Sequence, residues 1–341
     1  MDPNSTAADS GWREVVADYV RPSLRRSLTQ IADTILPYFA LLVAMYFSLR
    51  VSYWITLALA LPAAGFLSRA FIIFHDCGHG AFFRSAKANR IVGAFTGLLA
   101  FFPSYHWSHE HAKHHAVAGK IGRPPVGDIW TVTVAEYTAM SRWNRFRYRL
   151  YRHPLVMFGF GPLFTFLIRY RYWKPGDGPR ARRSAIRANL AILGILTAAA
   201  LTIGLKAYVM IQLPVLAIAA TAGIWLFYVQ HQFEGTYRAS EERWCPVTLA
   251  LQGSSYYRMP RILQWFTGNI GYHHIHHLSP RIPNYYLEAC HEASPLFRAI
   301  PPVTLRASLK ALSFRLWDEE RERLVGFTAV KERLRRRVAQ P

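Results

Sequence analysis

Four apolar stretches decide what this chain can become. One runs from about Ile35 to Leu49 and reaches back through Ala32, one from about Tyr53 to Phe74, and two more form a pair within Ala188 to Gln230. A helix crossing a hydrocarbon core of about 30 Å needs roughly 17–25 apolar residues, and no element of a soluble core reads this way. Pro62 and Arg69 interrupt the second stretch; Lys206 is the only charge in the pair and falls where a hairpin must turn. Charged residues are 18% of the chain, below the roughly 25% of soluble domains. Aromatics at 14% exclude intrinsic disorder, which lacks them. Cys77, Cys245 and Cys290 form neither a disulfide scaffold nor a CxxC zinc pattern.

The net charge of +21 comes without a nucleic-acid-binding motif, so nucleic acid is not an expected partner. The cations flank apolar runs instead, as the positive-inside rule requires. Two runs, Ile91 to Pro103 and Leu155 to Ile168, are short and have Lys87 and Arg90, or Arg149, Arg152, Arg169 and Arg171, beside them. Both read as re-entrant or interfacial segments, six crossings being the alternative. With four crossings, both termini, the region 75–187 and everything from His231 onward lie in the cytoplasm. The N-terminus lacks the basic region and cleavage site of a signal peptide. Near the other end, Leu305 to Leu324 reads as an amphipathic helix followed by a basic tail, KERLRRRVAQP, suited to anionic headgroups. The expected fold is therefore an all-α membrane protein of two transmembrane hairpins with interfacial helices and a cytoplasmic helical cap. Residues 1–30 form a cytoplasmic N-terminal segment, 31–300 the membrane domain and 301–341 the helix and tail.

Of 14 histidines, 11 fall into HDCGH (His75, His79), HWSHEHAKHH (His106, His109, His111, His114, His115) and HHIHH (His273, His274, His276, His277); His231 stands alone in FYVQHQFE. His75 and His79 are i and i+4; His111, His114 and His115 are i, i+3 and i+4, as are His273, His276 and His277. Residues so spaced share a helix face, so each cluster can aim its imidazoles at one spot, and neutral imidazole is the commonest metal ligand. Nine such rings exceed the four ligands of a closed zinc site and suit two metals of higher coordination number. Imidazole alone does not choose among zinc, copper, iron and nickel.

HxxxH, HxxHH and HxxHH, in that order around paired apolar helices, resemble the three histidine boxes of the integral-membrane fatty acid desaturases. FHDCGHGAFF, EHAKHHAVAG, GDIWTVTVAEY, YVQHQFE and LQWFTGNIGYHHIHHLSPRIPNY extend the likeness to the bacterial acyl-lipid (phospholipid) desaturases over roughly residues 30–300. The resemblance implies a di-iron centre held by His75, His79, His111, His114, His115, His231, His273, His276 and His277. His106 and His109 fall outside the boxes and read as surface or ligand-supporting residues, whereas His274, i+3 from His277, could also face the metals. Related stearoyl-type enzymes carry an Asn one turn before the isolated histidine; here Phe227 stands there, so the coordination of one iron can differ.

The implied reaction uses O2 as co-substrate to remove hydrogens from adjacent methylenes of an acyl chain in the bilayer, with a lean toward the delta-5 position. No side chain can deprotonate such a carbon, so the demanding chemistry belongs to the metals. Asp76, Glu110, Asp128, Glu234 and Asn269 are the candidates to orient the ligands, and Trp107, Trp130 and Trp265 could line the site. No flavin, dinucleotide or fused haem motif is present, so an external electron donor is expected, of ferredoxin, flavodoxin or cytochrome type. The basic residues Arg142, Arg145, Arg147, Arg149, Arg152, Arg180, Arg182 and Arg183 could steer it. The same boxes serve hydroxylases, ketolases and conjugases, and a His-rich metal transporter is the non-enzyme alternative. Arg69 is the one ionisable residue inside the spans, where a transporter would need several.

Overall fold

The computed structural model describes residues 8–122 and 127–330, and most of it is helical. After a short α1 (Ala8–Ala17), the first span α2 (Leu24–Ser48) and the second, α3 (Tyr53–Gly78), form a hairpin. Ser23 and Ser52 cap them by accepting from the backbone N–H of Arg26 and Trp54. α2 starts well before the apolar run, since LRRSLTQIAD is good helix former and simply precedes the lipid-facing turns. α3 runs four residues past Phe74, which carries His75 onto its last turn.

α4 (Ala86–Leu99) and α5 (Ser104–Val117) follow. At 14 residues, α4 is about 21 Å long, too short to cross. It lies close on α3 because Gly93 and Gly97 leave room: a Cβ there would come within 2.9 Å of Cys77 and Phe74 side-chain atoms. α6 (Val134–Ala139) and α7 (Arg142–Tyr151) lead into the second short run. That run is two π-helical turns, Val156–Phe160 and Phe164–Ile168, joined by α8 (Gly161–Leu163). Gly159, Gly161 and Pro162 loosen the i→i−4 ladder there, and the Gly161 N–H bonds Val156 O instead.

The second hairpin is α9 (Gly178–Thr202) and α10 (Leu205–His231), turning at Gly204 with φ +86°, a left-handed conformation glycine tolerates. α9 begins ten residues before Ala188, because Pro179 opens it and the arginine-rich turns continue the same helix. Four helices are thus long and apolar enough to cross a membrane: α2, α3, α9 with its leading 3₁₀ turn, and α10. α3 sits centrally, packed on α2, α4 and α10. Ala60, Ala63, Ala64, Ala219 and Ala220 let these backbones approach.

The remaining chain caps one end of the bundle with short pieces: α11 (Pro246–Gln252), α12 (Arg261–Phe266), α13 (His273–Leu278), α14 (Leu287–Ala293), α15 (Pro295–Arg298) and α16 (Leu305–Lys310). The strands β1 (Tyr256–Arg258) and β2 (Pro302–Thr304) pair in parallel, and β3 (Leu316–Asp318) and β4 (Arg323–Val325) antiparallel. This corrects the expected amphipathic helix over Leu305 to Leu324: after α16 and a 3₁₀ turn the chain is a hairpin. Leu316 and Trp317 are consecutive and both buried, and the Trp317 N–H donates to Val132 O at 3.0 Å. Non-local pairing overrides the helical pattern. The basic tail KERLRRRVAQP lies outside the described residues.

Candidate metal centre

The ends of α3 and α10, all of α5 and α13 bring nine imidazoles together in two adjoining groups. In the first are His75, His79, His111, His115 and His276; in the second His114, His231, His273 and His277, the ligand atoms of each group lying within 4.8 Å of one another. Every nitrogen donor expected from the three boxes and from His231 is in one group or the other.

The division between groups was not readable from spacing. HxxHH was expected to aim at one spot, yet His111 and His115 join the first group while His114 joins the second; His273 and His277 join the second while His276 joins the first. At about 100° per residue, i and i+4 differ by about 40° around a helix, whereas i+3 and i+4 differ by about 100°. The i,i+4 pair therefore shares one cage and the i+3 ring reaches the other. The cages touch: the His115 and His277 rings stack at 4.2 Å between centroids.

The residues fit metal ions. Nε2 atoms face each other at 3.1 Å for His114–His231, His231–His273 and His111–His115, and at 3.0 Å for His115–His276. Ligands about 2.1 Å from a metal lie about 3.0 Å apart at a right angle but about 3.4 Å apart in a tetrahedron. Each of these pairs is therefore close enough for one ion to reach both nitrogens. Nε2 of His79 and of His277 is buried without any hydrogen-bond partner, a costly arrangement unless a ligand satisfies it.

Protonation agrees. Burial pushes His115 down to about 3, with charge on His75 and His231 adding to the effect, and burial drives His111, His114, His273, His276 and His277 well below 6.5. All are neutral, the state that binds metal. Because the folded values are lowered, the unfolded chain binds more protons below 6.5. Stability is complete above about pH 6.5 and falls as pH drops toward 3, by up to about 1.4 kcal/mol per pH unit for each such ring. The metal-free protein is expected to melt markedly lower at about pH 5.5 than at about pH 7.5 by differential scanning fluorimetry; equal midpoints would contradict neutral, buried rings.

Orienting groups are partly those expected. Asp76 is buried, with Oδ1 3.0 Å from His75 Nδ1, and Oδ2 accepts from Asn284 N–H at 2.7 Å and Asn284 Nδ2 at 2.8 Å. Gln30 Nε2 donates to Asn284 Oδ1 at 3.0 Å, and Asn269 Nδ2 to Asn284 O at 3.3 Å. The carbonyl of Gly253 lies 3.1 Å from His231 Nδ1. Asp76 and the Gly253 carbonyl each fix the tautomer that turns Nε2 of their ring toward the cage, and the amides of Asn284, Gln30 and Asn269 hold Asp76 in place directly or through Asn284. Asn284, Gln30 and Gly253 had no sequence signal, being far away in the chain or acting through backbone.

Other candidates lie elsewhere. Glu110 binds Arg169 at 2.7 Å, Glu234 binds exposed Lys310 at 2.6 Å, and Asp128 accepts from Ile129 N–H at 2.6 Å. Trp107 does line the site, stacked on His111 at 4.6 Å; Trp130 packs on Tyr148, and Trp265 lies 3.9 Å under the Arg69 guanidinium. Arg69 also bonds Thr34 and Asp33, so it is a satisfied buried cation. His109 stacks on Tyr105. His106 is no surface residue: it is fully buried, 3.3 Å from Asp177. His274 turns away from both cages to His291 Nδ1 at 3.0 Å, and burial pushes it down to about 3. His274→Ala is expected to lower the melting temperature while leaving metal content intact by plasma emission analysis; loss of metal would return it to the ligand set. Phe227 presents its ring to His114 at 5.1 Å and to His231 at 5.9 Å, a dry wall on the second cage. A cleft of about 470 Å³ opens on His79 and is edged by Arg84, Arg90 and Arg281.

Long apolar helices ending in paired imidazole cages define a helical membrane protein with a histidine-rich metal site. The sequence profile described as fatty acid desaturase matches residues 52–303. A "Fatty acid desaturase" of Bacillus subtilis (strain 168) is 46% identical over 316 residues, covering 93% of this chain and 90% of that one. More distant likenesses are an "sn-1 oleoyl-lipid 12-desaturase" of Synechocystis, 25% identical over 66% of this chain and 64% of its own, and an endoplasmic-reticulum "Omega-3 fatty acid desaturase" of Vigna radiata, 26% identical over 78% and 70%. The chain belongs to the fatty acid desaturase family and is accordingly an oxidoreductase of lipid metabolism.

Proposed function

We propose that this protein is a di-iron, O2-dependent desaturase that places a cis double bond in an acyl chain carried by a membrane lipid. The observation that carries the reading is the pair of imidazole cages, five rings and four, at one end of the long apolar helices. The balanced change is –CH2–CH2– + O2 + 2e⁻ + 2H⁺ → –CH=CH– + 2H2O. When bound, the two irons supply the oxidising chemistry that dioxygen needs to attack an unactivated C–H bond, which no side chain provides. The nine histidines hold them; Asp76 and the Gly253 carbonyl fix ring orientation; Trp107 and Phe227 exclude water beside the cages.

In this reading the spans deliver the acyl chain from the bilayer, and the cages and both termini face the cytoplasm. Electrons come from a separate carrier of ferredoxin, flavodoxin or cytochrome type, for which the arginine-edged cleft at His79 is the nearest approach to a ligand. Of the arginines expected to steer it, Arg152 is unavailable: it is buried and bonded to Trp130 O, Gln232 and Phe314 O. The double bond is placed at the delta-5 position and the substrate is a phospholipid, as the likeness of the boxes and their flanks suggests. Expression in a host without desaturases, with mass spectrometry locating new double bonds, tests this. A double bond at carbon five of phospholipid-bound chains is expected; an added oxygen instead would make the protein a hydroxylase or ketolase, and unchanged lipids would sink the reading.

A further inference from the structure

A second basic site lies at the end of α7. Arg149, Arg152, His153, Arg315 and Thr328 line a cavity of about 370 Å³ that no carboxylate among the described residues lines. Three guanidiniums gathered without an anion repel one another, and such a cluster is stabilised only when a negative group joins it. Arg152 is 1% exposed and heavily engaged through its Nη atoms, yet its Nε is buried with no partner. Arg149 uses Nε on Tyr137 Oη at 2.6 Å and stands over the Phe327 ring, and Arg315 uses Nη1 on Phe314 O at 3.0 Å. Arg315 also hydrogen-bonds the Tyr228 side chain, so the Nη pair of Arg149 is the edge of the cluster that no hydrogen bond occupies. Planar forks of this kind match phosphate oxygens two at a time.

The surroundings name the source of the phosphate. On α7, Trp143, Phe146 and Leu150 are exposed at i, i+3 and i+7, and beyond it Leu155, Phe160 and Phe164 are exposed along the π-helical run. Apolar side chains facing outward beside arginines mark a segment lying at the headgroup level of a bilayer. The cavity opens from that same segment, through Arg149 and His153. On its inner side Arg152 Nη2 reaches Gln232 Oε1 at 3.2 Å and Tyr228 Oη at 3.3 Å, and Gln232 is the residue after the cage ligand His231.

We propose that this cavity is the headgroup site of the lipid substrate, binding its phosphodiester through Arg149 and Arg315, with buried Arg152 adding its charge from behind them. The proposal rests on the reading of a phospholipid-linked substrate and adds a positional consequence. A headgroup held next to His231 brings acyl carbons near the ester, not those near the methyl end, within reach of the cages.

The test uses the full-length protein, stripped of lipid in a neutral detergent, and Arg149→Gln/Arg315→Gln. Arg152 is left intact because its side chain bridges several backbone and side-chain groups, so its loss disrupts the fold. Native mass spectrometry follows binding of dimyristoylphosphatidylglycerol, of dimyristoylglycerol with the same chains, and of inorganic phosphate. The phospholipid is expected to bind the parent in preference to the diacylglycerol, and the double variant to lose at least about tenfold in phospholipid affinity at unchanged melting temperature. Equal binding of the two lipids, equal binding by parent and variant, or uptake of inorganic phosphate alone overturns the proposal. Iron content and lipid product are measured on the same preparations. Phospholipid-selective binding without iron or product would remove the desaturase reading and leave the headgroup site standing.

Discussion

His276→Ala is expected to leave the purified protein with about one iron in place of two and without desaturase activity, and His114→Ala is expected to do the same from the other side. The two rings sit in different cages: His276 faces His115 at 3.0 Å in the five-imidazole group, and His114 faces His231 at 3.1 Å in the four-imidazole group. Removing a ligand-supporting group typically costs about 10–100-fold in metal affinity or activity, and removing a ligand itself costs more. On the di-iron reading proposed above both ions are needed, so activity is expected to fall at least about a thousandfold in either variant. Metal analysis separates the cages where activity cannot. One ion retained in each variant shows two sites of distinct membership; full occupancy in either would strike that histidine from the ligands.

Asp76→Ala is the largest effect expected outside the nine rings. Its carboxylate is 1% exposed and holds three groups at once: His75 Nδ1, Asn284 N–H and Asn284 Nδ2. Alanine leaves those donors buried and unmet, a loss of about 3–5 kcal/mol when one partner of a buried charged network is removed. It also frees the His75 ring, so iron affinity drops by about 10–100-fold. Asp76→Asn keeps an acceptor for Asn284 and is expected to recover most of the stability but not the metal affinity, since a neutral amide polarises His75 less. Thermal melts and iron titrations on the two variants separate these contributions. If alanine and asparagine behave alike in both measurements, the carboxylate charge plays no part in holding the ring.

The clustering of the nine imidazoles was legible because the information is local. Imidazoles at i, i+3 and i+4 advertise a helix face, and four long apolar runs advertise spans, without knowledge of the rest of the chain. What stayed hidden is long-range. Asn284 holds Asp76, and through it His75, across a sequence separation of 208 residues, and Gln30 reaches Asn284 across 254. An Asn in a loop or a Gln on a span carries no mark of such a role. The split of each box between cages depends on how α5 and α13 are rotated against each other, which only tertiary packing sets. The same limit explains Arg152, whose charge suggested a docking surface although Trp130 O, Gln232 and Phe314 O enclose it. It explains the β3–β4 hairpin too, where Trp317 finds Val132 rather than a helical neighbour.

Each cage takes rings from segments spread across more than 160 positions, the first from His75 to His276 and the second from His114 to His277. Neither can therefore close while the ribosome is still making the second hairpin. On the proposed di-iron reading, iron is loaded after translation has nearly finished, and each ion then locks elements made roughly 10–40 s apart at about 5–20 residues per second. A cell short of iron should accumulate not a weakly active enzyme but an unlatched one, with loose helix ends open to membrane proteases. The amount of this protein, as well as its turnover, would then follow the iron supply.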